Sequence, residues 1–136
     1  MSNAAAPSPL AYAPISIGEL VDKITILEIK ARRLRDPRKR DAVSKELCLL
    51  NEIDYAMGER GVTIKAMKDE LRQFNEALWD IEDRIRDCER EQSFGEEFIQ
   101  LARAVYKTND RRAELKRRIN EISGSALMEV KSHAVY

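Results

Sequence analysis

One histidine and two cysteines are all that this 136-residue chain offers to metal or thiol chemistry. His133 stands in an aperiodic tail, so no zinc-type ligand spacing and no nucleophile–base pairing can be assembled around it. No glycine-rich phosphate loop occurs either. The expected catalytic residues, metal ligands and cofactors are therefore none. Cys48 and Cys88 both fall at apolar helical positions and are expected as reduced core thiols. All four prolines lie outside the periodic segments, which leaves long helices uninterrupted. No apolar run approaches the roughly 20 residues of a membrane span, so no membrane insertion is expected. Lys plus Arg and Asp plus Glu are both 24, which removes any global pull towards nucleic acid. Met1–Pro14 is small, polar and proline-rich and has no signal-peptide pattern, so a cytoplasmic location is expected.

What the chain does have is helical period. Ile64, Met67, Leu71, Phe74, Leu78, Ile81, Ile85 and Cys88 are spaced alternately three and four residues apart. A second seam follows with the same alternation: Phe98, Leu101, Val105, Thr108, Arg112, Leu115, Ile119 and Ile122. Such seams keep one stripe of each helix against a partner. Folded antiparallel, the two stripes pair at one constant register, Ile81 with Val105 and Leu71 with Leu115. The expected fold is all-α: a long antiparallel hairpin, about 63–91 and 94–123, packed with two N-terminal helices at about 16–35 and 37–57. Residues 1–14 read as a disordered arm, 15–124 as a single domain and 125–136 as a tail.

Local signals set the helix ends. Ser16 and Glu19 form a capping-box pattern, as do Ser93 and Glu96. Asp36-Pro37 is an N-cap followed by proline at the first helical position. Ile17, Leu20, Ile24, Leu27, Ala31 and Leu34 make the seam of the first helix, and Val21, Ile26 and Ile29 widen it beyond one stripe. A helix so apolar should pack into the hairpin groove or form a dimer seam. A homodimer is expected on that ground. The second helix carries Val43, Leu47, Leu50, Ile53 and Met57.

Charge is segregated. Residues 69–97 carry eleven acidic groups and four arginines, a net of −7, while residues 103–118 carry seven basic groups against two acidic ones, a net of +5. The acidic arm lying beside the basic one supplies its counter-charge, so no nucleic-acid partner is implied. The basic elbow Lys30–Arg40 lacks interleaved aromatics for base stacking and reads as a turn docked on the acidic third helix.

The anomaly is a polar layer in the fourth helix. Thr108 and Arg112 occupy seam positions, and an arginine buried there without a carboxylate costs several kcal/mol. Glu28 is the expected partner, with Asp83 second. The layer can simply fix register and partner, as single polar seam positions do. Its other reading is a pocket of Lys23, Glu28, Asn75, Trp79, Asp83, Tyr106, Thr108, Asn109, Arg112 and Lys116 for an anionic or sugar-like ligand. A small helical enzyme handling a dianion would need Lys23, Arg112 and Lys116 to converge.

Pro14–Lys30 (PISIGELVDKITILEIK), Leu78–Arg86 (LWDIEDRIR), Phe98–Arg103 (FIQLAR) and Val105–Lys116 (VYKTNDRRAELK) resemble a functionally uncharacterised family of short all-helical bacterial proteins, a domain of unknown function. The resemblance implies no activity, only a loose association with sugar-transfer or surface-polysaccharide enzymes. The expected function is a non-enzymatic helical interaction and oligomerisation module, a homodimer with a further protein partner; the alternative is the small enzyme or ligand binder built on the polar layer.

Overall fold

The computed structural model describes residues 8–55, 60–130 and 133. Its elements are α1 (Ile17–Arg33), α2 (Pro37–Asn51), α3 (Arg60–Arg90) and α4 (Glu96–Ser123). The expected all-α fold is what forms. α3 and α4 make the hairpin, and α1 lies in its groove. The core joins Val21 of α1 to Ile64, Met67 and Leu71 of α3 and to Leu115 and Ile119 of α4, flanked by Ile17, Tyr55, Phe74 and Ile122. At about 1.5–3 kcal/mol per fully buried aliphatic side chain, this cluster is the main source of stability. The hairpin seam residues expected at this end therefore do meet in one core.

α1 starts as its sequence dictates. Ser16 is extended at φ −71° and ψ 158°, and its Oγ accepts from the Glu19 amide at 3.1 Å. The other half of the capping box is missing, because the Glu19 carboxylate pairs with Lys116 on α4 at 2.6 Å. Asp36 caps α2 by accepting from the Arg38 amide at 2.9 Å, with Pro37 at the first helical position as expected.

Several expectations are corrected. α2 ends at Asn51 rather than 57, and residues 52–55 are not helical; Met57 and Gly58 lie outside the described residues, as does the first half of the expected disordered arm. α2 packs on α1 alone, and among its described residues only Val43 is buried. Cys48 is consequently exposed, not a core thiol, while Cys88 is buried as expected. The expected capping box at Ser93 and Glu96 does not form: Gly95 is the N-cap of α4 and no side chain caps it. Ser93 instead closes α3, its amide donating to the Cys88 carbonyl at 2.8 Å while the Gln92 amide donates to Glu89 at 3.1 Å. That pair of bonds needs a left-handed residue, and Gln92 supplies it at φ 54°. At the end of α4 the same closure uses Gly124 at φ 71°.

Two modest predictions arise here. Gln92→Gly should stabilise the fold by about 0.5–1 kcal/mol, since glycine adopts the left-handed region without strain; chemical denaturation measures it, and a loss of stability would refute the closure. In the native protein one thiol should react quickly with an aromatic disulfide reagent and the other slowly. Cys48 is the fast one. Burial, then the nearby Glu97 and Glu91 charges, push the Cys88 thiol above its usual range and suppress the reactive thiolate. Equal rates before unfolding would contradict this.

Charge is used differently from the sequence expectation. α1 takes up charges from both arms: Arg33 pairs with Asp80 at 2.6 Å and Arg32 with Glu76 on the acidic arm. Its Glu19 and Asp22 reach the basic arm, while Glu28 meets Lys68 and Arg72 on α3. The elbow expected to dock on α3 does so through these two arginines. The N-terminal half of α1 runs antiparallel to α4, as Ile17–Ser125, Gly18–Asn120 and Asp22–Arg112 show. The breadth of apolar surface on α1 is thus covered by α2, α3 and α4 of the same chain, and it supplies no argument for a dimer.

Candidate functional site

The polar layer exists, and Asp22 of α1 is its centre. Asp22 is 3% exposed. Arg112 donates to its Oδ2 through Nη2 at 2.7 Å, and Asn75 Nδ2 donates to its Oδ1 at 2.9 Å. Lys116 Nζ stands 3.9 Å away. Asn75 also donates to Thr25 Oγ1 at 2.8 Å, and the Thr25 hydroxyl donates to the Asp22 carbonyl at 2.7 Å. Each of α1, α3 and α4 contributes to this cluster. An uncompensated carboxylate so buried would cost several kcal/mol; one cation and one amide hold it directly.

Arg112 therefore finds a carboxylate between helices, but it is Asp22 and not Glu28. Glu28 faces α3, where Lys68 meets it at 2.9 Å and Arg72 at 2.8 Å. Asp22 is nearer because α1 lies antiparallel to α4 with its first turns on residues 112–125. Arg112 also donates to Asn109 Oδ1 at 2.8 Å; its buried Nε has no partner. Lys116 is gripped by Glu19 at 2.6 Å and by Glu129 of the tail at 3.4 Å. Burial works against its ammonium, yet the Glu19 hydrogen bond and the Asp22, Glu19 and Glu129 charges together lift it above the ordinary lysine value. A raised folded-state value means that this stabilisation is fully present at neutral pH and is lost only as pH rises past the ordinary lysine range.

The first turn of α1 directs its free amides to acceptors within the chain. The Ile17 amide donates to Ser125 Oγ at 3.1 Å, the Gly18 amide to Asn120 Oδ1 at 2.6 Å and the Glu19 amide to Ser16 Oγ at 3.1 Å. The Leu20 amide donates to the Ser16 carbonyl at 3.0 Å. The three amides of the first turn that have no intrahelical acceptor, those of Ile17, Gly18 and Glu19, are thus used within the chain.

Two clefts border the layer. One, of about 400 Å³, is floored by Ile26, Ile29 and Leu78 and rimmed by Asn75, Trp79, Glu82, Asp83, Arg86 and Arg112. Arg33 covers the indole of Trp79, its guanidinium carbon 5.7 Å from the ring centroid. The other, of about 350 Å³, lies between α4 (Asn109, Arg112, Lys116) and the tail (Glu129, Val130, His133).

Of the expected pocket residues, Asn75, Asn109, Arg112 and Lys116 belong to the layer, and Trp79 and Asp83 line the first cleft. Lys23 does not converge with them: it pairs with Glu46 of α2 at 3.0 Å, on another side of α1. Glu28 serves α3. Thr108 is half-buried, Tyr106 is exposed, and neither lines these two clefts. The sequence reasoning missed Asp22, Thr25, Glu19 and Asn120 as members. A signal existed: Gly18, Asp22, Thr25 and Ile29 recur at four, three and four residues, a second stripe on α1 beside its apolar seam.

With this geometry in place, the chain belongs to a family of unknown function (DUF6165), whose model matches residues 12–135. That agrees with the resemblance read from its motifs. No curated protein and no solved structure matches it significantly. Among the described residues no helix is long and apolar enough to cross a membrane, and no cluster of three metal-ligating side chains occurs.

Proposed function

We propose that this member of the family is a helical interaction module, in which the polar layer fixes how α1 seats in the hairpin. The observation that carries the reading is the consumption of its cations. A dianion site needs cationic groups converging on open space, whereas Arg112 is held by Asp22 and Asn109, Lys116 by Glu19 and Glu129, and Lys23 by Glu46. Displacing a buried carboxylate from Arg112 would cost a ligand much of its binding energy. A polar layer of this kind specifies one packing among apolar alternatives, at some cost in stability. The partner class to test first is an enzyme of sugar transfer or surface-polysaccharide synthesis, the context that the family resemblance suggests.

One observation favours the second reading, a binder of an anionic or sugar-like ligand. Trp79 and Arg112 border one apolar-floored cleft, and Arg112 retains an unpartnered Nε. Amide and indole NMR shifts of the wild type, recorded with added phosphate, sulfate, hexoses and hexose phosphates, separate the two. The module reading expects no saturable shift at Trp79 or Arg112. A saturable shift that vanishes in Arg112→Leu would replace it with the binder.

A further inference from the structure

We propose that the cleft beside Trp79 docks a basic segment of a partner protein, with an apolar stem on its floor and a cationic head at Asp83. The inference rests on the interaction-module reading and deepens it by giving the partner's chemistry.

The cleft opens where α1 passes from α4 onto α3. The first half of α1 meets α4 through Gly18, Glu19 and Asp22, and its second half meets α3 through Glu28, Arg32 and Arg33. One stripe of α3, running from Asn75 through Leu78, Trp79, Glu82 and Asp83 to Arg86, forms the wall. Ile26 and Ile29 of α1 join Leu78 in an apolar floor. The volume, about 400 Å³, lies within the roughly 300–1,000 Å³ of ligand clefts.

The occupant follows from the charges that line this cleft. Arg112 is held by Asp22 at 2.7 Å and Arg86 by Glu82 at 2.9 Å, while Arg33, over the indole, is held by Asp80 at 2.6 Å. Arg112 Nε is unpartnered but buried, out of a ligand's reach. Asp83 is the lining charge left over: it is exposed and forms no hydrogen bond or ion pair among the described residues. The arm that carries it is acidic as well, residues 69–97 holding a net of −7. An anion entering the cleft would meet Asp83 with every lining arginine already engaged. A cation finds a carboxylate. Lysine and arginine side chains supply both parts, a hydrocarbon stem for the floor and a charged head for Asp83. An aliphatic neighbour in the same segment fills the rest of the floor. A tryptophan among arginines is also the composition in which interface binding energy concentrates.

Trp79 is the single tryptophan, so its emission reports on the cleft. The probe is an acetylated and amidated tetrapeptide alternating leucine and lysine, added to the full chain at low salt. A saturable change in Trp79 emission is expected, and a leucine–glutamate tetrapeptide should produce none. Asp83→Lys should weaken the basic peptide about tenfold, and Asp83→Glu should keep it within about twofold of wild type. Glu89→Lys makes the same charge change at an exposed acid outside the cleft and should also stay within about twofold. Circular dichroism checks that each variant keeps its helicity. No saturable response to the basic peptide, equal binding of the acidic one, or Asp83→Lys binding as well as Glu89→Lys would overturn the proposal. Dimerisation in sedimentation, with Trp79 emission following the chain's own concentration, would overturn it by seating a second copy in the cleft. If the basic peptide fails while phosphates and sugars also leave Trp79 unmoved, the docking site is lost and the module reading stands. A saturable anion or sugar shift removes that reading itself.

Discussion

Asp22→Ala should destabilise the protein by about 3–5 kcal/mol, the cost of leaving a buried guanidinium without its carboxylate. Arg112 Nη2 and Asn75 Nδ2 both donate to Asp22, and Arg112 Nε is already unpartnered. Asn109 would be the remaining partner of Arg112. Lys116 would suffer less, because Glu19 and Glu129 keep it neutralised. At roughly 3 °C per kcal/mol for a domain of this size, the melting temperature should fall by about 10 °C or more. Arg112→Leu should be milder, since Asp22 retains the Asn75 amide and Lys116 stands near enough to move in. Combining Asp22→Leu with Arg112→Leu should recover much of the loss of the single Asp22 variant, because no charge is then stranded at that pair. Urea denaturation of the two single variants and the double variant measures the coupling. An Asp22→Ala protein within about 1 kcal/mol of wild type would mean that water reaches the layer and that the ion pair does not hold α1 in place.

Gly18→Ala is expected to cost about 3 kcal/mol, although it adds one methyl group to a helix and ordinarily favours helical structure. A Cβ at Gly18 would overlap the backbone carbonyl oxygen of Lys116 and lie 2.9 Å from Asn120 Oδ1. A backbone atom in the middle of α4 cannot step aside, so α1 must lift. Lifting breaks the 2.6 Å bond from the Gly18 amide to Asn120, a residue with no exposure whose Nδ2 already lacks a partner. A stranded buried acceptor adds about 1–3 kcal/mol to the steric term. Gly95→Ala is the control: nothing lies within 4 Å of a Cβ there, so only the N-cap preference for glycine over alanine is lost, about 1 kcal/mol. If the two alanine variants unfold at the same denaturant concentration, the close approach of α1 to α4 is not real.

Gly18 also marks the limit of what could be read from the chain. As a letter in a first turn it suggests at most room for an anion at free amides, and Ser16 and Glu19 account for that turn without it. Its reason lies 102 residues away at Asn120. Arg112 is similar: its seam position says that a carboxylate must come to it, but Glu28 and Asp22 are equally near in sequence terms. Asp22 is the partner because α1 lies antiparallel to α4. Cys48 was misplaced because period alone cannot tell a covered stripe from an uncovered one, and α2 has a single neighbour.

The sequence by itself determined the four helices, the hairpin, the caps at Ser16 and Asp36, the core seam from Ile64 to Leu71 against Leu115 to Ile122, and the presence of a polar layer around Arg112. These follow from the period of apolar residues, from side chains that bond amides two or three residues away, and from the cost of burying one cation. All of them are local, or repeat often enough that one wrong position does not matter. Only the tertiary structure decided which carboxylate closes the layer, which glycine has no room for a methyl group, and how far along the hairpin α1 reaches. Those depend on the placement of one helix against two others, where a shift of one turn, about 5.4 Å, exchanges every partner while leaving the apolar pattern satisfied.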